Sequence, residues 1–211
     1  MVQDESEPIS INYTSGTTGK SKGAVYTHRG AYLQAHCVAM EVKLGYDSVR
    51  LWTLPMFHCN GWCLTWGVTR AGGVHVCLRK VEPDRIWDLF ESEGVTHYSG
   101  APTVHMGIVN HDKAHRLDQH VTVPTGGSPP TPALLKRMRE LNLHPIHLYG
   151  LTETYGPWAA AGSRSGMSAT STSRRGCSRG RVTPTTAPTW CGWSTTTCRM
   201  CSGTARRWAR S

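Results

Sequence analysis

One stretch narrows the possible folds of this chain more than any other: Tyr13-Thr14-Ser15-Gly16-Thr17-Thr18-Gly19-Lys20-Ser21-Lys22-Gly23. The apolar alternation Ile9, Ile11, Tyr13 predicts a strand, and that strand runs straight into a loop of glycines, hydroxyl side chains and lysines. Glycines let backbone N–H groups turn inward and approach an oxygen closely. Ser and Thr hydroxyls donate further hydrogen bonds, and lysine adds a mobile positive charge. Such a loop suits a polyphosphate. It is not a Walker-type P-loop, which needs four residues between its first glycine and Gly-Lys-Ser/Thr, whereas two separate Gly16 from Gly19. A flexible polar linker is the alternative; hydroxyls and lysines interleaved with glycines directly after a strand argue against it.

The rest of the first three quarters alternates between strand and helix patterns. Strands are predicted at 49–54, 74–78, 95–100, 121–123 and 145–149. Helices are predicted from Thr27 to about Met40, after Asn60-Gly61 as a buried segment ended by Ala71-Gly72-Gly73, and over 83–93, 103–110 and 132–141. Pro83 fits a first-turn position. Alternation with short links predicts an α/β fold of layered, largely parallel sheets flanked by helices. Ligand loops then belong at the carboxyl ends of strands, and the candidate loops follow strands at Tyr13, Val123 and Tyr149.

The run Tyr-Thr-Ser-Gly-Thr-Thr-Gly-x-x-Lys-Gly resembles the signature loop of the adenylate-forming superfamily: acyl-CoA synthetases, firefly luciferase and the adenylation domains of peptide synthetases. Leu54-Pro55-Met56-Phe57-His58, Thr125-Gly126-Gly127-Ser128 and Tyr149-Gly150-Leu151-Thr152-Glu153-Thr154 resemble, in order, three further motifs of that superfamily. The resemblance covers roughly residues 8–158, read as part of the large N-terminal domain. It implies a two-step reaction using ATP, Mg2+ and coenzyme A with a small-molecule carboxylic acid: acyl-adenylate formation, then acyl transfer to the thiol.

The resemblance also implies roles. Ser15, Gly16, Thr17, Thr18, Gly19 and Lys20 hold the β- and γ-phosphates, with Lys22 assisting. Thr14 and Glu153 are the magnesium-associated pair. Thr152 bonds the α-phosphate; Gly126, Gly127 and Ser128 line the adenine; Tyr149, followed by Gly150, stacks on it. His58 orients the substrate carboxylate, and Trp62 resembles a gate tryptophan of fatty acyl-CoA synthetases. Together with Trp52-Thr53-Leu54-Pro55-Met56 it tilts the expected acid toward a medium- or long-chain fatty acid, an aryl or short-chain acid being the alternative. Each residue has a plainer reading: helix-dipole stabilisation for Glu153, a hydrogen-bonded structural group for His58, core packing for Trp62. His36, His75 and His97 are assigned no role.

Composition matters where the chain changes character. The net charge of +9 comes from 23 Lys+Arg against 14 Asp+Glu, yet no Asp, Glu or Lys follows Glu153. The nine arginines beyond it supply the whole excess. The first part therefore has no basic surplus arguing for nucleic acid. After Leu151 there is no Leu, Ile or Phe, but four Trp, four Cys and many Ser and Thr. Such a segment lacks the aliphatic side chains of a core. Residues 1–158 are read as a partial AMP-binding domain. Residues 159–211 are read as an unstructured Arg/Ser/Thr/Trp-rich tail, either translated in a shifted frame from near Pro157 to Gly162 or an authentic basic tail. A zinc site from Cys177, Cys191, Cys198 and Cys201 has no fixed partner spacing behind it.

No 18-residue apolar run predicts a membrane span. The acidic start is no signal peptide, and irregular cysteines suggest reduced thiols and a cytoplasmic setting. The oligomeric state is not legible. The ribose-binding aspartate and late lysine of the family have no counterpart after Glu153, and the phosphate loop of the family lies deeper in its sequence. The chain is thus expected to be the central piece of an acyl-CoA synthetase, inactive by itself. The competing reading is a non-catalytic nucleotide-binding module whose basic tail contacts RNA or another partner.

Overall fold

The computed structural model describes residues 3–15, 19–161 and the backbone of 182–184. Two sheets form. The smaller is an antiparallel hairpin of β1 (Pro8–Thr14) and β2 (Lys22–Thr27), in which Ile11 faces Val25 and Tyr13 faces Gly23. The larger has the order β4-β3-β5-β6-β7-β8-β9, with β3 Val49–Trp52, β4 Val74–Cys77, β5 His97–Tyr98, β6 Val121–Thr125, β7 Leu143–Leu151, β8 Gly156–Ala161 and β9 Val182–Pro184. Strands β4 to β7 are parallel; β8 and β9 add antiparallel. The α/β architecture agrees with the sequence expectation.

Side-chain alternation divides the sheet into two faces. Leu51, Tyr98, Val121, Val123 and Leu143 meet Ile86, Trp87 and Phe90 of α4 (Pro83–Ser92), Ile108 of α5 (Pro102–Val109) and Leu134 and Met138 of α6 (Pro132–Glu140). The residue after Leu51, Trp52, points the other way and packs with Leu148, Ala160, Val38 of α1 (His28–Glu41) and Leu64 of α3 (Leu64–Ala71). Helices α4, α5 and α6 each begin with proline, whose fixed φ and missing N–H suit a first turn. Thr27 caps α1 by accepting from the Gly30 N–H at 3.1 Å, and Thr131 caps α6 by accepting from that of Leu134 at 3.3 Å.

Several details differ from expectation. The strand before the phosphate loop belongs to the hairpin rather than the parallel sheet, because Lys22–Thr27 turns back and pairs with it. The glycine at position 23 hides this strand from propensity rules. The strand expected over 95–100 shrinks to His97–Tyr98, although Gly100 still bridges Thr125. The buried helix expected after Asn60-Gly61 begins at Leu64, after the short turn α2 (Cys59–Trp62). In the tail, expected unstructured, β9 forms a three-residue strand, and β8 runs past the expected boundary at 158. The reading-frame and zinc expectations otherwise fall on residues outside those described.

Candidate functional site

A cleft of about 720 Å³ opens where the parallel strands end. The residues just after four of them line it: Thr53, Leu54 and Pro55 beyond β3, Gly100 and Ala101 beyond β5, Gly126 and Gly127 beyond β6, Thr152 and Glu153 beyond β7. The hairpin contributes Thr14, Ser15 and Lys22, and the turn before α3 contributes His58, Cys59 and Trp62. Four parallel strands that deliver their carboxyl ends to one crevice place ligand loops there by topology.

The wall carrying His58 is unusual in its backbone. Cys59, Asn60, Gly61, Trp62 and Cys63 all have positive φ, from 45° to 60°, so α2 is a left-handed turn. For residues with a Cβ this costs roughly 1–2 kcal/mol each, with Asn tolerating it best. Tertiary contacts hold it. The Asn60 Oδ1 accepts from Ser10 Oγ at 2.6 Å and from Asn12 Nδ2 at 2.7 Å, and its carbonyl accepts from Thr65 Oγ1 at 3.1 Å. Gly61 lies so close to the Trp52 ring that a Cβ there would come within 2.6 Å of it. Trp62 lies over Gly126, where a Cβ would come within 2.8 Å of the indole.

Opposite stands the 3-10 turn Thr152–Thr154, with Thr152 and Glu153 on the cleft. Tyr26 of β2 donates its hydroxyl to the Thr152 carbonyl at 2.7 Å and stacks on Tyr155 at 4.1 Å. Tyr155 in turn accepts from the Thr27 N–H at 3.0 Å. Cys59 Sγ lies 3.4 Å from Thr152 Oγ1, and Cys63 donates to the Tyr155 carbonyl at 3.2 Å. Burial, followed by the neighbouring Cys59, pushes the Cys63 thiol up to about 12, so it stays protonated as a donor. Burial likewise raises the Tyr26 phenol far above its ordinary value. These groups brace the turn without ionising.

Of the residues picked out in the sequence, Thr14, Ser15, Lys22, His58, Trp62, Gly126, Gly127, Gly150, Thr152 and Glu153 line this one cleft. Gly19, Lys20 and Ser128 are exposed and do not line it. Tyr149 is 60% exposed and does not line the cleft, although its neighbours Leu148 and Gly150 do; the strand register shifts between Tyr149 and Gly150. Gly16, Thr17 and Thr18 lie outside the described residues. No cluster of three or more His, Cys, Asp or Glu side chains suited to a metal occurs among the described residues. Among the described residues, Glu153 is the single carboxylate lining the cleft, with the Thr14 hydroxyl on the same cleft. That donor set fits Mg2+, which takes one or two carboxylates and fills its remaining positions with phosphate oxygens and water.

Sequence reasoning missed Gly100, Ala101 and Val104 on the cleft, and Tyr26, Asn60 and Tyr155 behind it. The Asn60-Gly61 dipeptide was a turn signal. For Tyr26 and Tyr155 no local signal existed.

The family model described as AMP-binding enzyme matches residues 2–194. A peroxisomal butyrate–CoA ligase of Arabidopsis thaliana is 47% identical over 161 residues, covering 74% of this chain and 28% of the relative. A peroxisomal benzoate–CoA ligase of the same plant is 47% identical over 161 residues, covering 74% of this chain and 27% of the relative. Among solved structures, the inhibitor-bound N-terminal domain of FACL13 from Mycobacterium tuberculosis superimposes with a TM-score of 0.71 at 27% identity, covering 76% of this chain and 41% of that one. The chain thus spans little more than a quarter of the length of the curated relatives it matches.

Proposed function

The chain belongs to the AMP-binding enzyme family of adenylate-forming proteins, and from that premise we propose that its cleft is the acid-activating site of an AMP-forming acyl-CoA ligase. The observation that carries the reading is the convergence of four sequence motifs on one crevice: Thr14, Ser15 and Lys22; His58; Gly126 and Gly127; Thr152 and Glu153. Relatives matching this same region are named as ligases of butyrate and benzoate with coenzyme A.

In the reaction a carboxylate oxygen of the acid attacks the α-phosphorus of ATP. The bond to the bridging oxygen breaks, pyrophosphate leaves and an acyl-adenylate forms. The sulfur of coenzyme A then attacks the acyl carbon, and AMP leaves with the carboxyl oxygen. The first half opposes two anions, so positioning and compensating charge decide its rate. Lys22 supplies positive charge at the phosphate end, and Thr152 donates toward the α-phosphate. Glu153, with Thr14, would hold Mg2+, which would neutralise phosphate charge. His58 orients the attacking carboxylate, while Gly126 and Gly127 let the adenine approach the backbone.

The acid has an apolar body, since Leu54, Val104, Leu148, Pro157 and Trp62 line the same cleft as His58. With the indole lying over Gly126, a small acyl group such as butyrate or benzoate is favoured. A medium- or long-chain fatty acid requires Trp62 to swing aside. The cytoplasmic expectation stands beside peroxisomal relatives, and the reduced thiols of Cys59, Cys63 and Cys77 suit a reducing compartment. No helix among the described residues is long and apolar enough to cross a membrane.

The 211-residue chain, with no Lys or Asp after Glu153, is proposed to bind without turning over. The test is therefore binding of stable acyl-adenylate mimics. Butyryl-, benzoyl- and decanoyl-sulfamoyl adenosine are titrated against the chain, with AMP as reference, following melting temperature. Stabilisation beyond AMP supports the reading, and the ranking of acyl groups decides the acid class. Equal response to AMP and mimics would falsify it. Salt-dependent RNA binding without a mimic response would favour the nucleotide-binding module.

A further inference from the structure

We propose that Asn60 is a positioning residue that sets the register between the phosphate-loop hairpin and the cleft wall carrying His58, so that the adenylate and acyl halves of a ligand are recognised jointly. The inference rests on the acid-activating reading of the cleft. Asn60 sits two residues after His58 and two before Trp62, both on the cleft. Its backbone stands at φ 45°, ψ 51°. That conformation admits Gly readily and Asn or Asp better than other residues. Its side chain turns away from the cleft to β1.

There a single oxygen takes two donors. Ser10 Oγ reaches Asn60 Oδ1 at 2.6 Å and Asn12 Nδ2 reaches it at 2.7 Å, while Asn12 also approaches Ser10 Oγ at 3.5 Å. Ser10 and Asn12 are two apart on β1 and so share a face. Asn12 is only 7% exposed. Two residues further along the same face is Thr14, followed by Ser15, and both line the cleft. The path from the phosphate end to His58 is therefore one strand face, one carboxamide oxygen and two backbone residues. Thr65 closes it from the other side by donating to the Asn60 carbonyl at 3.1 Å. A turn held in the left-handed region has little to keep it in place except such ties.

Joint recognition is a coupling between half-sites, and coupling is reciprocal in binding free energy. The readout is the ratio of affinities of the 211-residue chain for butyryl-sulfamoyl adenosine and for AMP. Asn60→Gly keeps the left-handed backbone and removes the tie. It is expected to lower that ratio about tenfold, a usual magnitude for coupled sites, while AMP affinity and melting temperature change little. Asn60→Asp retains an acceptor for both donors and is expected to restore the ratio. Ser10→Ala, which removes one donor and leaves the turn untouched, is expected to fall between. A general loss of packing would lower both affinities together and would not be rescued by Asp. If native chain prefers the analogue over AMP and both Asn60→Gly and Ser10→Ala keep that preference within twofold, the proposed role of Asn60 is overturned alone. If native chain binds neither ligand, the reading of the cleft falls and this inference with it.

Discussion

On one face of the parallel sheet, Trp87, Phe90, Ile108, Met138 and Leu143 pack in regular helices and strands, each almost fully buried. On the other face, near the cleft, Asn12 and Gln34 are buried, five consecutive residues run left-handed, and Gln34 donates a hydrogen bond to the Pro157 carbonyl. The first face mostly follows the rule that every local preference agrees with the global fold, apart from the buried His105 imidazole and the buried Tyr98 hydroxyl, which has no hydrogen-bond partner among the described residues. The second departs from it wherever a ligand loop must be held. Stability is thus concentrated on the helical face, and positioning on the cleft face.

Truncation of Phe90 is the strongest test of that division. Phe90 is 0% exposed and touches Trp87 and Tyr98 at centroid distances of 5.3 and 5.5 Å. Phe90→Ala is expected to cost about 3–5 kcal/mol in urea unfolding. An effect below about 1 kcal/mol would mean that the helical face is not the principal core.

Acid comes next. His105 is buried beside Thr125, with Nε2 3.0 Å from its hydroxyl, and burial lowers its pKa from 6.5 to about 4. The folded state therefore resists protonation that the unfolded chain accepts. The resulting stability is fully present above the ordinary pKa and is lost as pH falls from there to about 4. The loss is about 3 kcal/mol at most. Denaturant melts at neutral and acidic pH should show it, and His105→Gln should flatten the slope. An unchanged slope in the variant would assign the acid sensitivity to other groups, such as His97, whose pKa burial also lowers.

Gly126→Ala probes the cleft face more gently. The new methyl would meet Trp62 atoms at 2.8 and 2.9 Å, forcing the indole to move. The expected stability cost is about 1–3 kcal/mol, together with a changed ranking of acyl-sulfamoyl mimics. A stability loss with an unchanged ranking would separate Trp62 from acid selection.

The smallest effect is expected at Lys113, which bridges Asp84 at 2.8 Å and Asp88 at 2.7 Å on the exposed outer side of the helical face. Lys113→Ala should leave the melting midpoint within experimental error, since solvent and salt screen exposed pairs. A clear drop would show that charges share the work attributed here to packing.

The helical face was almost entirely legible in the sequence. Ile86, Leu89 and Phe90 repeat at helical spacing behind Pro83, and Val121–Val123 and Val74–Cys77 show strand composition. Those signals are local, so a short window carries them. The Gly-, Ser- and Thr-rich loops were legible for the same reason: the chemistry of holding phosphate selects their residue types directly. Hairpin strand β2 was not, because its partner β1, not its own composition, makes Lys22–Thr27 a strand. The handedness of the turn after His58 was not either. Asn60-Gly61 announced a turn, but nothing local announces that Cys59, Trp62 and Cys63 also take positive φ.

Residue types and their order determined the α/β class, the succession of elements and the four motifs that supply much of the cleft. The tertiary structure alone decided how they meet. Ser10 reaches Asn60 across 50 residues of chain, Cys59 reaches Thr152 across 93 and Tyr26 reaches Thr152 across 126. A left-handed backbone is unfavourable in isolation. It persists here because distant hydrogen bonds and close ring contacts outweigh that cost, and such contacts exist only once the chain has folded.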